Sequence, residues 1–431
     1  MIKMKDSGIK WIGKIPENWE TVPIYTCASE ITQKNSDLKE KRALKFTYGN
    51  IVDKNNFNVD EDPALVETAS NYLIVRPNDI VINGLNLNYD FVTQRVGMVN
   101  NHGIITSAYI GIRPNQEVII PKYLLYLFKT YDAEKAFHNM GGGVRKILNY
   151  SELKKEKIIL PSLSQQQTIV ALLDKNCTKI DNISTKIQKE INTLQEYRKS
   201  VIARAVTKGL DDNVLMKDSE IEWIGEIPES WETAPIYTCT SEITQKNSNL
   251  KEKRALKFTY GNIVDKNNFN IDKDPSLTKI ASNYLVVKPN DIVINGLNLN
   301  YDFVTQRVGM VNNHGIITSA YIGIRSNQNK VIPKYLLYLF KTYDAEKAFH
   351  NMGGGVRKIL NYSELKKEKI ILPSLSEQKA IVSFLDVKIL QIEKVILQKK
   401  RQLLLLSNYK KSLIFEYTTG KRQVPSNVGE K

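Results

Sequence analysis

Almost every phrase of this 431-residue sequence occurs twice, 212 residues apart. Trp11-Ile12-Gly13 returns as Trp223-Ile224-Gly225. Asn83–Arg113 returns letter for letter as Asn295–Arg325, and Pro121–Ser164 as Pro333–Ser376. Solenoid repeats run to about 20–50 residues, so a period of this length is a duplicated domain. Each copy is long enough to bury a core of its own. Any function carried by the shared residues is present twice.

The phrase Ile-Leu-Pro-Ser-Leu-Ser, at Ile159–Ser164 and Ile371–Ser376, opens a long run free of Gly and Pro in each copy. Pro161 stands just outside a helix start that Ser162 or Ser164 can cap. Ser164 with Gln167 has the capping-box spacing, as do Ser374 and Glu377 in the second copy. Beyond the cap, Leu173, Ile180, Ile187, Leu194 and Val201 recur every seventh residue, alternating with Val170, Cys177, Ser184 and Ile191. The second copy has Leu385, Ile392, Leu406 and Leu413, alternating with Val382, Ile389, Ile396 and Leu403. A seam of this period predicts two paired, coiled-coil-like helices. A helix of forty residues is about 60 Å long, which makes it a spacer. Antiparallel pairing would let each globule sit at one end of the rod without a long return loop. A register with Cys177 and Ser184 across from Ile389 and Ile396 would fit small residues against large ones.

The surplus of Lys and Arg gives a formal net charge of +15 and a pI near 9.3, which favours a polyanionic partner. No stretch is apolar for long enough to span a membrane, and no signal peptide precedes Met4-Lys5-Asp6. The three cysteines are Cys27, its counterpart Cys239, and Cys177 on the helix seam. They form neither a disulfide framework nor a zinc set and suit a reducing cytoplasm.

In chain order, residues 4–22 read as an irregular lead-in whose tryptophans pack on the domain. β-Structure is expected over 45–51, 72–75, 79–83, 96–99 and 104–112, and helix over 121–137 with Tyr123, Leu124, Leu127, Phe128 and Tyr131 on one face. Two loops hold residue types suited to nucleic acid. The polar loop after the strand ending at Asn83 offers Asn86, Asn88, Tyr89, Gln94 and Arg95, repeated as Asn298, Asn300, Tyr301, Gln306 and Arg307. Asn and Gln can pair bidentately with adenine, and Arg with guanine. Gly141-Gly142-Gly143 lets backbone amides approach a phosphate beside Arg145 and Lys146, repeated as Arg357 and Lys358. Tyr48 and Asn50, with Tyr260 and Asn262, flank a glycine in a similar way. Each of these is also an ordinary loop former. Lys34, Lys39, Lys41 and Arg42 form a basic run that meets phosphates or only solvent.

No catalytic set is visible: no adenine-methyltransferase Asn-Pro-Pro-Tyr motif, no phosphate loop ending Gly-Lys-Ser/Thr, no His-Glu-x-x-His. Asp60-Glu61-Asp62 could suggest a metal, but its copy Asp272-Lys273-Asp274 replaces the central carboxylate with a cation. No metal site is expected.

Trp-Ile-Gly-x-Ile-Pro-Glu-x-Trp near each domain start, a glycine-rich loop before Ser-Glu-Leu, Leu-Pro-x-Leu-x-x-Gln, and a long helix ending Thr-Lys-Gly or Thr-Thr-Gly-Lys follow one another in each copy. Together, and in this order, they resemble the specificity subunit of type I restriction–modification enzymes, over essentially the whole chain. Gln165-Gln166 stands where that family usually has Glu-Gln. The resemblance implies an α+β fold with a pseudo-two-fold internal repeat: two mixed α/β target-recognition domains joined by two long antiparallel helices. Residues 1–160 and 210–372 would be the recognition domains, 161–209 and 373–421 the spacer helices, and 422–431 a flexible tail. It implies a non-catalytic subunit that binds double-stranded DNA beside two methyltransferase subunits, which carry S-adenosylmethionine, and restriction subunits, which use ATP and Mg. A self-sufficient fused methyltransferase–nuclease, or a non-catalytic scaffold or RNA-binding protein, are the alternatives. The departure from the usual pattern is that the two recognition domains are nearly identical. Identical readers predict identical half-sites. The charge-changing differences Glu61 to Lys273 and Glu67 to Lys279 lie outside the favoured loops and should alter affinity more than sequence choice.

Overall fold

The computed structural model describes residues 3–88, 94–142, 146–300, 306–352 and 358–424. The chain divides into two compact units, Met1–Gln188 with Arg401–Lys431, and Lys189–Lys400. The division falls inside both long helices, Leu163–Lys208 and Leu375–Thr418. Each unit is therefore one globule, the beginning of the helix that follows it in sequence, and the end of the helix from the other repeat.

The globule of the first unit opens with β1 (Met4–Asp6) and β2 (Lys14–Pro16), which pair antiparallel. The lead-in is thus a small ribbon rather than irregular chain. It carries Trp11 edge-on against Tyr131 at 4.7 Å and buries Trp19. Then come β3 (Glu20–Pro23), β4 (Ala28–Glu30), β5 (Leu44–Thr47), β6 (Asn50–Asp53), the short helix α1 (Leu65–Ser70), β7 (Leu73–Val75), β8 (Ile80–Ile82), β9 (Val96–Met98), β10 (Gly103–Ile105) and β11 (Ile110–Pro114). Helix α2 (Pro121–Ala133), helix α3 (Tyr150–Leu153) and β12 (Lys157–Leu160) complete it. The main sheet is antiparallel in the order β4-β11-β8-β9. Two-stranded ribbons β5-β6, β7-β10 and β3-β12 surround it. The second globule repeats this topology, with its main sheet built from Thr240–Glu242, Ile322–Ser326, Ile292–Ile294 and Val308–Met310.

Two expected strands are each broken by a turn. Residues 45–51 contain Tyr48-Gly49, which folds β5 back onto β6. Residues 104–112 contain a turn at Thr106–Tyr109, so β10 pairs with β7 while β11 enters the main sheet. Periodicity alone does not show a turn made of residues that also suit a strand.

Helix α2 is the core element. Pro121 occupies its first turn, where no backbone donor is needed. Its expected face, Tyr123, Leu124, Leu127, Phe128 and Tyr131, is buried, and so are Leu125 and Tyr126 on the other side. The extra burial comes from the long helices. Lys122 Nζ and Tyr126 Oη donate to the two oxygens of Asp174 at 2.6 and 2.7 Å, clamping the start of the first long helix. Tyr123 Oη donates to the Thr418 carbonyl at 3.2 Å, clamping the end of the second. In the second unit the same clamps are Lys334 and Tyr338 on Asp386, and Tyr335 on the carbonyl of Val206.

The first long helix starts at Leu163, two residues earlier than a cap at Ser164 would allow. Ser162, not Ser164, is the cap, and the box partner is Gln165 rather than Gln167: Ser162 N donates to Gln165 Oε1 at 3.3 Å and Gln165 N to Ser162 Oγ at 3.4 Å. Ser374 and Glu377 form the same box, as expected. This frees the buried Gln166 and Gln378 for docking. Gln166 accepts from Ile120 N at 2.8 Å and donates to Val118 and Pro161 carbonyls, fixing the helix to the entry of α2.

Inside each unit the long-helix segments run antiparallel. In the first, Lys410 reaches Asp181 at 2.6 Å, and Cys177 and Ile180 share a core with Leu413, Ile414 and Tyr417. In the second, Lys399 meets Glu190 at 2.5 Å and Arg198 meets Glu393 at 3.2 Å. This corrects the expected register. Cys177 faces the Leu413–Tyr417 segment, while Ile389 packs in the core of the second unit. Of the seam, Leu173, Ile180, Leu385, Ile392 and Leu413 are buried, and Ile187, Leu194 and Leu406 are half-buried. The solvent-facing ion pairs set orientation more than stability, since such pairs contribute about 0–1 kcal/mol each.

Among the described residues, no helix is long and apolar enough to cross a membrane, and no three His, Cys, Asp or Glu side chains are grouped to hold a metal ion. Asp60 is instead the partner of Lys41 at 2.5 Å.

Candidate nucleic-acid interface

Three segments that are distant in sequence meet at one edge of each globule. The first is the β5–β6 turn. Thr47 and Asn50 close a two-residue loop in which Tyr48 has φ 46° and Gly49 φ 77°. Two left-handed residues are what a twisted hairpin with a two-residue loop requires. Asn, Asp and Gly are the usual occupants. A tyrosine there costs about 1–2 kcal/mol, yet its ring is 73% exposed and so recovers little by packing. Asn50 Nδ2 donates to the Tyr48 carbonyl at 3.3 Å and steadies the turn.

The second segment is the loop between β8 and β9, and the turn leans on it. A Cβ on Gly49 would lie 3.0 Å from Gln94 Cβ, and one on Gly97 would lie 3.0 Å from the Gly49 carbonyl oxygen. Only glycine permits this approach. The third is the glycine loop. Leu87 N donates to the Lys146 carbonyl and Leu148 N to the Gly84 carbonyl, both at 2.9 Å. A side chain on Gly84 would collide with the Leu148 carbonyl at 2.6 Å. The tip of the hairpin, the β8–β9 loop and the glycine loop thus form one cluster.

Tyr48, Asn50, Asn86, Asn88, Gln94 and Lys146 are all exposed on it, as are Tyr260, Asn262, Asn298, Asn300, Gln306 and Lys358 in the second globule. The backbone marks the same place. Among the described residues fifteen non-glycine residues have positive φ, and eight of them are Tyr48, Asn86, Gln94, Lys146 and their four counterparts. Strained backbone of this kind gathers at ligand-binding surfaces. Lys146 Nζ rests on the His138 carbonyl at 3.5 Å, with its charge at the surface. Tyr89, Tyr301, Arg145 and Arg357 lie outside the described residues.

Arg95 and Arg307 correct the expectation most sharply. They were expected to reach a base edge, but both are wholly buried. Arg95 Nη1 donates to the carbonyls of Asn83 at 3.1 Å and Leu85 at 2.8 Å, and Nη2 to that of Asn86 at 3.3 Å. Its own amide donates to Asp132 Oδ2 at 2.8 Å, at the end of α2. Burial raises the Asp132 carboxyl above the usual range, and the Arg95 amide bond and charge oppose that shift. Sequence reasoning missed Asp132, because an acid at the end of an amphipathic helix carries no mark of a distant loop. The basic run is also largely committed: Arg42 forms a two-pronged pair with Asp53, Lys41 meets Asp60, and Lys34 donates to Asn71.

Comparison with known proteins identifies the family. A family model described as the type I restriction modification DNA specificity domain matches twice, at residues 16–193 and 237–404. The chain belongs to this family. It is similar to a Methanocaldococcus jannaschii chain named as the type I restriction enzyme MjaX specificity subunit, with 27% identity over 96% of both chains. The MjaVIII specificity subunit of the same organism is 24% identical, over 95% of this chain and 94% of that one. A solved chain from a study of complex assembly and conformational transition of the type I restriction–modification system superposes with a TM-score of 0.69, covering 95% of this chain and 99% of that one, and at 13% identity it bears on the fold. A type I specificity subunit recognises DNA, and this chain's role is one of specificity rather than catalysis. In this specificity subunit Glu61, Glu67, Lys273 and Lys279 are exposed, and none of them belongs to the three segments of the cluster.

Proposed function

We propose that each globule of this specificity subunit reads one half of a bipartite DNA site with the three-segment cluster. Tyr48, Asn50, Asn86, Asn88 and Gln94 meet base edges, and Lys146 meets a phosphate. Tyr260, Asn262, Asn298, Asn300, Gln306 and Lys358 do the same in the second globule. Exposed amides suit adenine, and an exposed tyrosine suits a base or sugar face. The partners are two methyltransferase subunits, which carry S-adenosylmethionine and modify adenine within the site, and restriction subunits that use ATP and Mg. This chain supplies the address.

The observation that carries the proposal is the identity of the two clusters, residue for residue, over Asn83–Arg113 and Asn295–Arg325. Identical readers select identical half-sites. The proposal takes the two globules to meet the duplex in opposite directions. A protein two-fold is then mirrored in the DNA, and the target is an interrupted palindrome: a short half-site, unspecified bases, and the reverse complement. Mapping methylated adenines in host DNA, or selecting bound sequences from random duplexes with the subunit–methyltransferase complex, is expected to return such a site. Two unrelated half-sites would show that reading residues lie where the copies differ. A direct repeat would show that the globules face the same way.

A further inference from the structure

We infer that Arg95 and Arg307 are positioning residues for sequence recognition: each holds the main chain of a reading loop in place from its buried side. The inference rests on the reading of the cluster given above.

The argument starts from the cost of the arrangement. A guanidinium removed from water is unfavourable unless its donors are satisfied. Here Nη1 and Nη2 are directed at three carbonyls of a single loop, those of Asn83, Leu85 and Asn86. Carbonyls converging on one point need a backbone that doubles back, and Asn86 makes that bend with φ 52°. Arg95 then ties the gathered loop outward. Its carbonyl accepts from Asn83 N at 2.8 Å, its amide is fixed by Asp132, and the preceding residue, Gln94, bears on Gly49 of the hairpin tip. Arg95 therefore gathers the β8–β9 loop with its side chain and ties it to α2 with its backbone amide, while Leu87 and Gly84 join the same loop to the glycine loop. The second globule repeats the set: Arg307 donates to Asn295 at 3.2 Å, Leu297 at 2.8 Å and Asn298 at 3.2 Å, and its amide to Asp344 at 2.7 Å.

The planar fork is essential to this role. A lysine would keep the charge but cannot direct several fixed donors at carbonyls on different sides. It would leave acceptors unmet and release the loop. The side chains of Asn86, Asn88 and Gln94, by contrast, are exposed, although the left-handed backbone of Asn86 and Gln94 belongs to the frame itself.

The duplicated chain supplies its own control. The complex with methyltransferase subunits is prepared with Arg95→Lys in one copy only, and bound sequences are selected from random duplexes. Base preference is expected to fall by roughly tenfold or more throughout one half-site, the size of a lost base-specific pair, while the other half-site, sequence-independent binding and its salt dependence stay as before. Asn88→Ala or Gln94→Ala should alter preference at one or two positions only. Amide exchange should quicken over residues 83–88 with β11 still protected. If β11 loses protection too, Asp132→Asn, which loosens the anchor without touching the guanidinium, replaces Arg95→Lys and must show the same one-sided loss. Arg95→Lys retaining full preference, while Asn88→Ala or Gln94→Ala changes it, overturns the positioning role alone. If none of the three variants changes base choice, the cluster itself has been misassigned.

Discussion

Ile392→Asp is expected to destabilise the helix pair of the second unit strongly. Ile392 is 5% exposed on the seam, next to the cross-helix pair of Arg198 with Glu393. An aspartate there must keep a charge in an apolar seam or take up a proton. The loss of apolar burial adds to that penalty, for about 3–5 kcal/mol in all. Whole domains are stable by only about 5–15 kcal/mol. Chemical denaturation followed by circular dichroism should show the midpoint falling accordingly. Ile187, on the same predicted seam, is only half-buried, so Ile187→Asp should cost about 1–2 kcal/mol. Equal effects from the two substitutions would contradict the burial pattern.

The second large effect comes from deleting the chain from Arg401 onward. The removed segment lies at the far end of the sequence from the first globule, yet that globule is the one expected to fail. It loses Leu413, Ile414 and Tyr417 from its core, and Tyr123 and Thr130 lose their partners on Thr418. Three buried side chains amount to about 5–9 kcal/mol of apolar burial, comparable to the whole stability of a domain. Lys189–Lys400, a continuous stretch, keeps all of its pieces. Limited proteolysis with mass analysis should find the first globule cut and Lys189–Lys400 protected. Loss of both globules together, or of the second alone, would show that the units do not complete themselves in this way.

Much of the fold could be read from the letters because local rules and tertiary packing agree. The repeat, the Pro-bounded start and buried face of α2, and the long helices with their Ser caps follow from proline chemistry, capping and apolar period. The departures have physical causes. A seam of similar apolar residues on two related helices contains little register information, so the pairing of Asp181 with Lys410 had to be seen. Tyr48 is a good strand residue, and nothing local says that it turns. Arg95 sits in a polar loop among Asn and Gln, so its type suggested a base contact. Whether an arginine points to solvent or gathers carbonyls is decided by the loop's path, which depends on glycines such as Gly84 and Gly97 being approached from other segments.

The turn at Tyr48 and Tyr260 bears on what selection has favoured in this chain. Asn or Gly at that position would relieve the left-handed backbone in each globule and make the protein more stable. A search for stability alone would therefore replace both tyrosines and still return a folded, well-behaved protein. Under the proposed reading of DNA, the strained, exposed ring in both copies is a place where stability is exchanged for work at the surface. Stabilising consensus or design efforts on this subunit should leave these two residues untouched.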